Sequence, residues 1–506
     1  MQGIELDRRG LLGGVLTVGL AGIAPGAAFS ATGRKPRDSD LTMLTASEAA
    51  SRIRTGDLKA ESYVSALISR ADRQAALNIF ISCDNAALLE NARNIDKRRA
   101  NGAVLGPLAG IPLLVKDNIE TKSLTTSAGT LGLKDNRPQL NAAVLERLYG
   151  ADALLFGKTN MDELAFGVSS NNKAYGPVRN PYDLERTAGG SSGGTAAGIA
   201  AHISPIGLGT DTGGSTRIPS SLCGIAGLRP SSGRYPRGGV VPFSRTRDEI
   251  GILGRSLDDL MLMDSLIVPE PRQPIASLKG LRLGLPKRYF WWAMTPETQI
   301  LMDETIRRLK AAGVVFVDVE LPGLEDLLAA IGPILAYEMN ATIGHYLRST
   351  GSPLTVEQLF GQVRSPDVLG AYKQTAALNI SNSAYIQALN VARPRLQILY
   401  DECFRTSGVA ALMFPATPCP APLLSANTVT LGGEDVHVMH AMFHNANPAS
   451  AAGIPGLVLP AGLTKAGLPV GIELDGPTGS DSRLLAIGSL IQKSLPPIPF
   501  SKVDGM

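Results

Sequence analysis

Cysteine and histidine are sparse in this sequence, with four and five copies in 506 residues. So few cysteines in so long a chain exclude a disulfide framework. Cys83, Cys223, Cys403 and Cys419 show no CxxC spacing, and buried free thiols are the expectation. An oxidising compartment would permit one bridge, Cys403–Cys419. Excess basic charge is also missing: 48 Lys+Arg stand against 45 Asp+Glu, a net charge of +3. A partner made of phosphates would call for such an excess, so nucleic acid is not expected. Internal repeats and low-complexity tracts are absent. The apolar stretch Leu11 to Ala24 falls short of the about 20 residues a membrane span needs.

What is present suits a folded protein, with 44% hydrophobic and 18% charged residues. Glycine (55) and proline (34) are abundant without a collagen-like period, which indicates many tight turns. The N-terminus reads as an address. Arg8-Arg9 precede the apolar stretch, and Ala28-Phe29-Ser30 offers a small-x-small cleavage site. Residues 1–30 are therefore expected to be a twin-arginine-type export signal. Residues 31–41 read as a linker and 42–500 as one domain. The expected location is periplasmic or secreted, with no stable membrane span after cleavage.

The element pattern is α/β. Helices are expected from Ser47 to a Gly56 cap and from Ala60 to Arg73. Short apolar runs at Gly110–Lys116, Ala153–Gly157, Ile203–Gly207 and Ala411–Pro415 suit buried strands. Residues 282–319 alternate strand, helix (Pro296 to Ala312) and strand, and 323–407 is helix-rich. A last helix runs from Ser482 to Lys493. One large domain with a mixed, twisted β-sheet covered by helices on both faces is the expected fold.

Three features carry chemistry. Lys116 leaves an apolar run, where desolvation favours the neutral amine and hence a general base near neutral pH. Gly189-Gly190-Ser191-Ser192-Gly193-Gly194 holds two serines between glycine pairs. Gly209 to Arg217 places Ser215 after Gly213-Gly214, whose amides can converge as an oxyanion hole. Other readings fare worse. Gly189-x-Ser191-x-Gly193 matches a nucleophile elbow, but that motif should follow a strand, which Asp183 to Ala188 is not expected to form, and it needs a histidine base. Neither glycine loop fits GxxxxGK[ST]. His437, His440 and His444 could share a helical face, yet without HExxH or a second motif no metal site is expected. A lysine and two glycine-flanked serines point to a Ser–Ser–Lys hydrolase.

At these residues the chain resembles the amidase signature family. The resemblance runs from Gly110-Ile111-Pro112 to Lys116-Asp117-Asn118, through Lys158 to Glu163, Asn180-Pro181 and the GGSSGG loop, and on through Gly207–Ser215 to Arg217-Ile218-Pro219 and Gly224. Weaker matches follow at Phe414–Pro418 and Gly467–Gly471. Within the family, Phe166–Asn172, Gly233–Arg237 and Pro242–Asp248 resemble indoleacetamide and mandelamide hydrolase-type amidases. The resemblance implies an amidase, a hydrolase of carbon–nitrogen bonds other than peptide bonds, that needs no cofactor. By the family pattern Ser215 is the nucleophile, Ser191 the bridging serine after a cis peptide, and Lys116 the base. The backbone N–H groups of Thr212, Gly213, Gly214 and Ser215 would form the oxyanion hole. Asp211 and Arg217 would brace the loop as an ion pair, with Ser192 adding a hydrogen bond. The expected partner is a small-molecule amide, aromatic or apolar, and the chain is compatible with a homodimer. Two other functions fit the same scaffold: a glutaminase-type subunit of a tRNA-dependent amidotransferase, and an esterase, carbamate or urea hydrolase. The export signal argues against the first, because charged tRNA stays in the cytoplasm.

Overall fold

The computed structural model describes residues 41–271 and 273–499. The expected export signal and most of the expected linker lie outside the described residues. Leu41, the last expected linker residue, is helical and buried. Helix boundaries follow local capping chemistry. Thr45 Oγ1 accepts the Glu48 N–H at 3.2 Å while the Glu48 carboxylate accepts the Thr45 N–H at 3.0 Å, a capping box that opens the helix Ala46–Thr55. Gly56 closes it in the left-handed conformation, with φ at 90°. The helix Ala60–Arg73 buries Tyr63, Val64 and Leu67 along one face.

Among the described residues, eleven strands form one mixed sheet. In chain order they are β1 Phe80–Cys83, β2 Pro112–Lys116, β3 Leu154–Thr159, β4 Ile206–Asp211, β5 Ala226–Arg229, β6 Glu249–Gly254, β7 Arg282–Leu285, β8 Val315–Asp318, β9 Ala411–Pro415, β10 Gly456–Leu463 and β11 Pro469–Asp475. Across the sheet the order is β1-β3-β2-β4-β6-β5-β10-β11-β9-β7-β8. β3, β2 and β4 run parallel, as do β9, β7 and β8. The pairs joining these two groups are antiparallel.

Helices cover both faces, and the register shows why. Side chains alternate between faces along a strand. A side chain on Gly207 of β4 would overlap Thr195 of the helix Gly193–Ala200. Gly254 of β6 pairs with the adjacent residue Ile206, and a side chain there would overlap Leu260 of the helix Leu257–Ile267. The two helices therefore lie on opposite faces, which buries β2 and β4 completely.

Three local expectations need correction. The strand expected at Ile203–Gly207 begins at Ile206, because Pro205 has no N–H and Ser204 Oγ turns back onto the Ile206 carbonyl at 2.9 Å. Asp183–Thr187 does form a strand, pairing with Arg179–Asn180 in a separate two-stranded ribbon. Asn180 Oδ1 accepts the Tyr182 N–H at 2.9 Å and folds the chain back there, so charged residues sit on the ribbon without entering the core. The four thiols are free as expected, but Cys83 is exposed where burial was anticipated. It closes β1, the edge strand of the sheet.

Candidate active site

Lys116 is the last residue of β2, flanked by β3 and β4, and its side chain is completely buried. Its Nζ lies 2.7 Å from Ser191 Oγ and 2.8 Å from Thr210 Oγ1 of β4. Burial pushes the amine down to about 7, even though Asp162, Asp211 and Asp248 pull it upward. A neutral amine has two N–H donors and one lone pair. Donation to Thr210, which also accepts from Asn118 Nδ2 at 3.1 Å, leaves the lone pair free to face the Ser191 hydroxyl. A second buried lysine, Lys158, differs in its partners. Its Nζ is 3.4 Å from Asp117 Oδ1 and donates to Thr126 Oγ1 at 2.7 Å. A carboxyl partner holds Lys158 in place, whereas among the described residues Lys116 hydrogen-bonds only hydroxyls.

Ser191 follows a cis peptide bond from Gly190. A side chain on residue 190 would overlap the Asp162 carboxylate, so only glycine permits this approach. The Asp162 carboxyl accepts the Ser169 N–H at 3.2 Å and is pushed up to about 7, by burial first and by Asp367 next. Ser192 joins the two glycine loops. Its N–H donates to the Ser215 carbonyl at 3.1 Å and its Oγ to the Thr210 carbonyl at 3.2 Å. The Ser215 hydroxyl makes no hydrogen bond to Ser191 or Lys116 in this structure.

The turn bearing Ser215 is wrapped around one carboxylate. Asp211 Oδ1 accepts the Gly214 N–H at 2.9 Å and Oδ2 the Thr216 N–H at 3.2 Å. Arg217 braces the same group, Nη2 at 3.0 Å and Nε at 3.1 Å, and Arg229 Nη1 adds a contact at 3.1 Å. Burial alone would raise the Asp211 carboxyl, but Arg217 and Arg229 outweigh it and hold the group far below the carboxylate range. Arg217 also pairs with Glu473. Burial first, and the neighbouring Glu473 next, push the Asp475 carboxyl well above its ordinary value. The expected Asp211–Arg217 brace is thus one edge of a larger buried network.

This geometry narrows the set of N–H groups available to the expected oxyanion hole. The Gly214 N–H is engaged by Asp211. Among the described residues, the N–H groups of Thr212, Gly213 and Ser215 find no acceptor, and these are left to meet a ligand oxygen. Thr212 is held separately: its hydroxyl donates to Asp248 Oδ1 at 2.6 Å. Asp248 also accepts the Phe243 and Ser244 N–H groups at 2.7 and 2.8 Å. Glu338 anchors that loop, accepting from Ser244 Oγ at 2.5 Å and from the Thr246 N–H at 2.9 Å. Thr210, Asp248 and Asp162 were not singled out from the sequence. Thr210 sits inside the quoted glycine motif, but its contact with Lys116 depends on strand register, which composition does not encode.

A cavity of about 300 Å³ opens over Ser215, Thr212 and Gly213. Phe166, Phe243, Val168, Met439 and Phe443 give it apolar walls. Phe166 and Phe243 meet edge to face with centroids 4.7 Å apart. The size sits at the lower end of small-molecule pockets. No cluster of His, Cys, Asp and Glu able to hold a metal occurs among the described residues. Of the histidine triplet, His437 instead caps the helix Val438–Ala452, its Nδ1 accepting the Met439 N–H at 3.2 Å.

Comparison with known proteins places this site in context. A family model described as Amidase matches residues 62–485. An indoleacetamide hydrolase of Agrobacterium vitis is 40% identical over 449 residues, covering 88% of this chain and 95% of that protein. A mandelamide hydrolase of Pseudomonas putida is 36% identical over 472 residues, covering 90% and 92%. A crystal structure of an amidase superposes with a TM-score of 0.81 at 31% identity, covering 90% of this chain and all of the other.

Proposed function

The chain belongs to the amidase signature family, and from that membership we propose that it hydrolyses small carboxamides bearing an aromatic or apolar acyl group, through an acyl-enzyme on Ser215. The carrying observation is the apolar, phenylalanine-walled cavity set directly over Ser215 and its free backbone donors.

The mechanism follows from the contacts. A serine hydroxyl is a weak nucleophile until a base takes its proton. The Lys116 lone pair accepts the Ser191 proton as Ser191 Oγ accepts the proton of Ser215, whose hydroxyl turns toward it. Such catalytic hydrogen bonds commonly tighten only with substrate bound. Ser215 Oγ then bonds to the amide carbon, and the carbonyl π electrons move onto oxygen. The N–H groups of Thr212, Gly213 and Ser215 receive that oxyanion. Ser191 passes a proton to the amide nitrogen, so the C–N bond breaks to release ammonia or a neutral amine. Water reverses the relay and frees the acid and Ser215.

Hydrolysis of phenylacetamide, indoleacetamide and simple alkanamides, followed by ammonia release, tests the reading. Aromatic and apolar amides should turn over. The pH dependence has a defined sign: Lys116 must be neutral, so kcat/KM should fall on the acid side with an apparent pKa near 7. A profile flat from about pH 5 to about pH 9 would contradict the role given to Lys116.

A further inference from the structure

We propose that the molecule carries a second, aromatic subsite beyond Phe443 and His440, which receives an aromatic ring that the substrate extends past the cavity over Ser215. The proposal rests on the amidase reading above. A separate cavity of about 370 Å³ shares Phe443 and His440 with the catalytic cavity. Both residues belong to the helix Val438–Ala452, where positions three and four apart share a face. His440, Phe443, His444 and Asn447 follow that spacing, and all line the second cavity. Two histidines of the pattern legible in the sequence, His440 and His444, are therefore part of a wall.

The far wall is aromatic. His444 stacks on Tyr289 with centroids 4.1 Å apart and planes 12° from parallel. The Trp292 indole N–H donates to His444 Nε2 at 2.7 Å. With that N–H engaged, Trp292 presents only ring surface, which suits another ring stacked or set edge-on. Burial lowers the His444 imidazole below its ordinary value, which favours the uncharged ring. Phe443 forms the partition. A side chain on residue 213 would overlap its ring, so the ring rests on the bare backbone of the oxyanion loop. A substrate occupying both cavities has to pass this ring. The shared chemistry is an aromatic ring, which could come from the acyl half or the amine half of the amide.

Two substrate series on the full chain separate these sources: phenylalkanamides with a lengthening acyl chain, and N-phenylalkyl acetamides with a lengthening amine. Trp292 is 44% exposed, so Trp292→Ala removes the wall without emptying the core. The KM of the long members of one series should rise about tenfold in this variant, while phenylacetamide keeps its kcat and KM. The series affected identifies the half that carries the ring. Phe443→Ala, which joins the cavities, should favour the long amides over phenylacetamide. Binding gives a readout independent of turnover. The chain has two tryptophans, Trp291 and Trp292, so saturable fluorescence quenching by phenylpropylamine or phenylbutyrate should appear in the wild type and vanish in Trp292→Phe. Equal effects of Trp292→Ala on short and long amides, or none on either, would overturn the subsite, as would absence of quenching in an active enzyme. Saturable quenching in a protein that hydrolyses no amide would instead overturn the amidase reading and support the subsite.

Discussion

Replacing Ser215 by Ala should lower kcat/KM for an aromatic primary amide by on the order of 10⁴-fold or more, with the fold intact. The reason lies in what remains. The variant keeps the cavity and its backbone donors, so binding and oxyanion stabilisation persist, but no atom is left to form the acyl bond. Ser191→Ala should cost a comparable amount, because Ser191 Oγ, at 2.7 Å from Lys116 Nζ, is the hydroxyl through which the proposed relay passes. Residues that act as one relay are not additive. The double variant should therefore be no slower than the worse single one, and circular dichroism should not distinguish the three from wild type. Near-native turnover by Ser215→Ala would remove the nucleophile assignment. A double variant slower than either single by the product of their effects would show two independent contributions and no relay.

The second large effect is on stability. Arg217→Met should destabilise the protein by about 3–5 kcal/mol, the usual cost of breaking a fully buried ion pair from one side. Arg217 contacts Asp211 twice and also pairs with Glu473, and all three side chains are excluded from solvent. Without it, Asp211 retains Arg229, but Glu473 and Asp475 lose their nearest cation. The same loss should loosen the Asp211 contacts that shape the turn around Ser215, so activity should fall together with the denaturation midpoint. The check is equilibrium unfolding in urea, with wild type measured alongside. A shift within about 0.5 kcal/mol would place the network among the surface-like pairs that contribute little.

Much of the fold was legible because hydrophobic period and capping are local. The strands Arg282–Leu285 and Ala411–Pro415 and the helix Ala60–Arg73 fall where their apolar pattern and flanking breakers put them. The central strands Ala226–Arg229 and Glu249–Gly254 were not legible. They are short, glycine-interrupted and buried on both faces, so neither alternation nor a long apolar run marks them. The charged strand Asp183–Thr187 was misread for the converse reason, since its pairing is set by the turn at Asn180 and not by burial. At the site, reactive residue types could be read from the glycine loops. Their positioning groups could not. Thr210 reaches Lys116 because β2 and β4 are adjacent parallel strands, and Asp248 reaches Thr212 because a loop far along the chain is pinned by Glu338. Those contacts depend on tertiary register. So does the finding that Gly214, which reads as an oxyanion donor, already gives its N–H to Asp211.

The proposed relay needs a neutral buried amine that arms Ser215 through Ser191. Its most direct test is inactivation by a serine-directed phosphonofluoridate, followed across pH and mapped by peptide mass spectrometry. The adduct should sit on Ser215, with a rate that rises as pH passes through about 7, where Lys116 loses its proton. An adduct on Ser191 or on any other residue, or a rate indifferent to pH across that range, would contradict it.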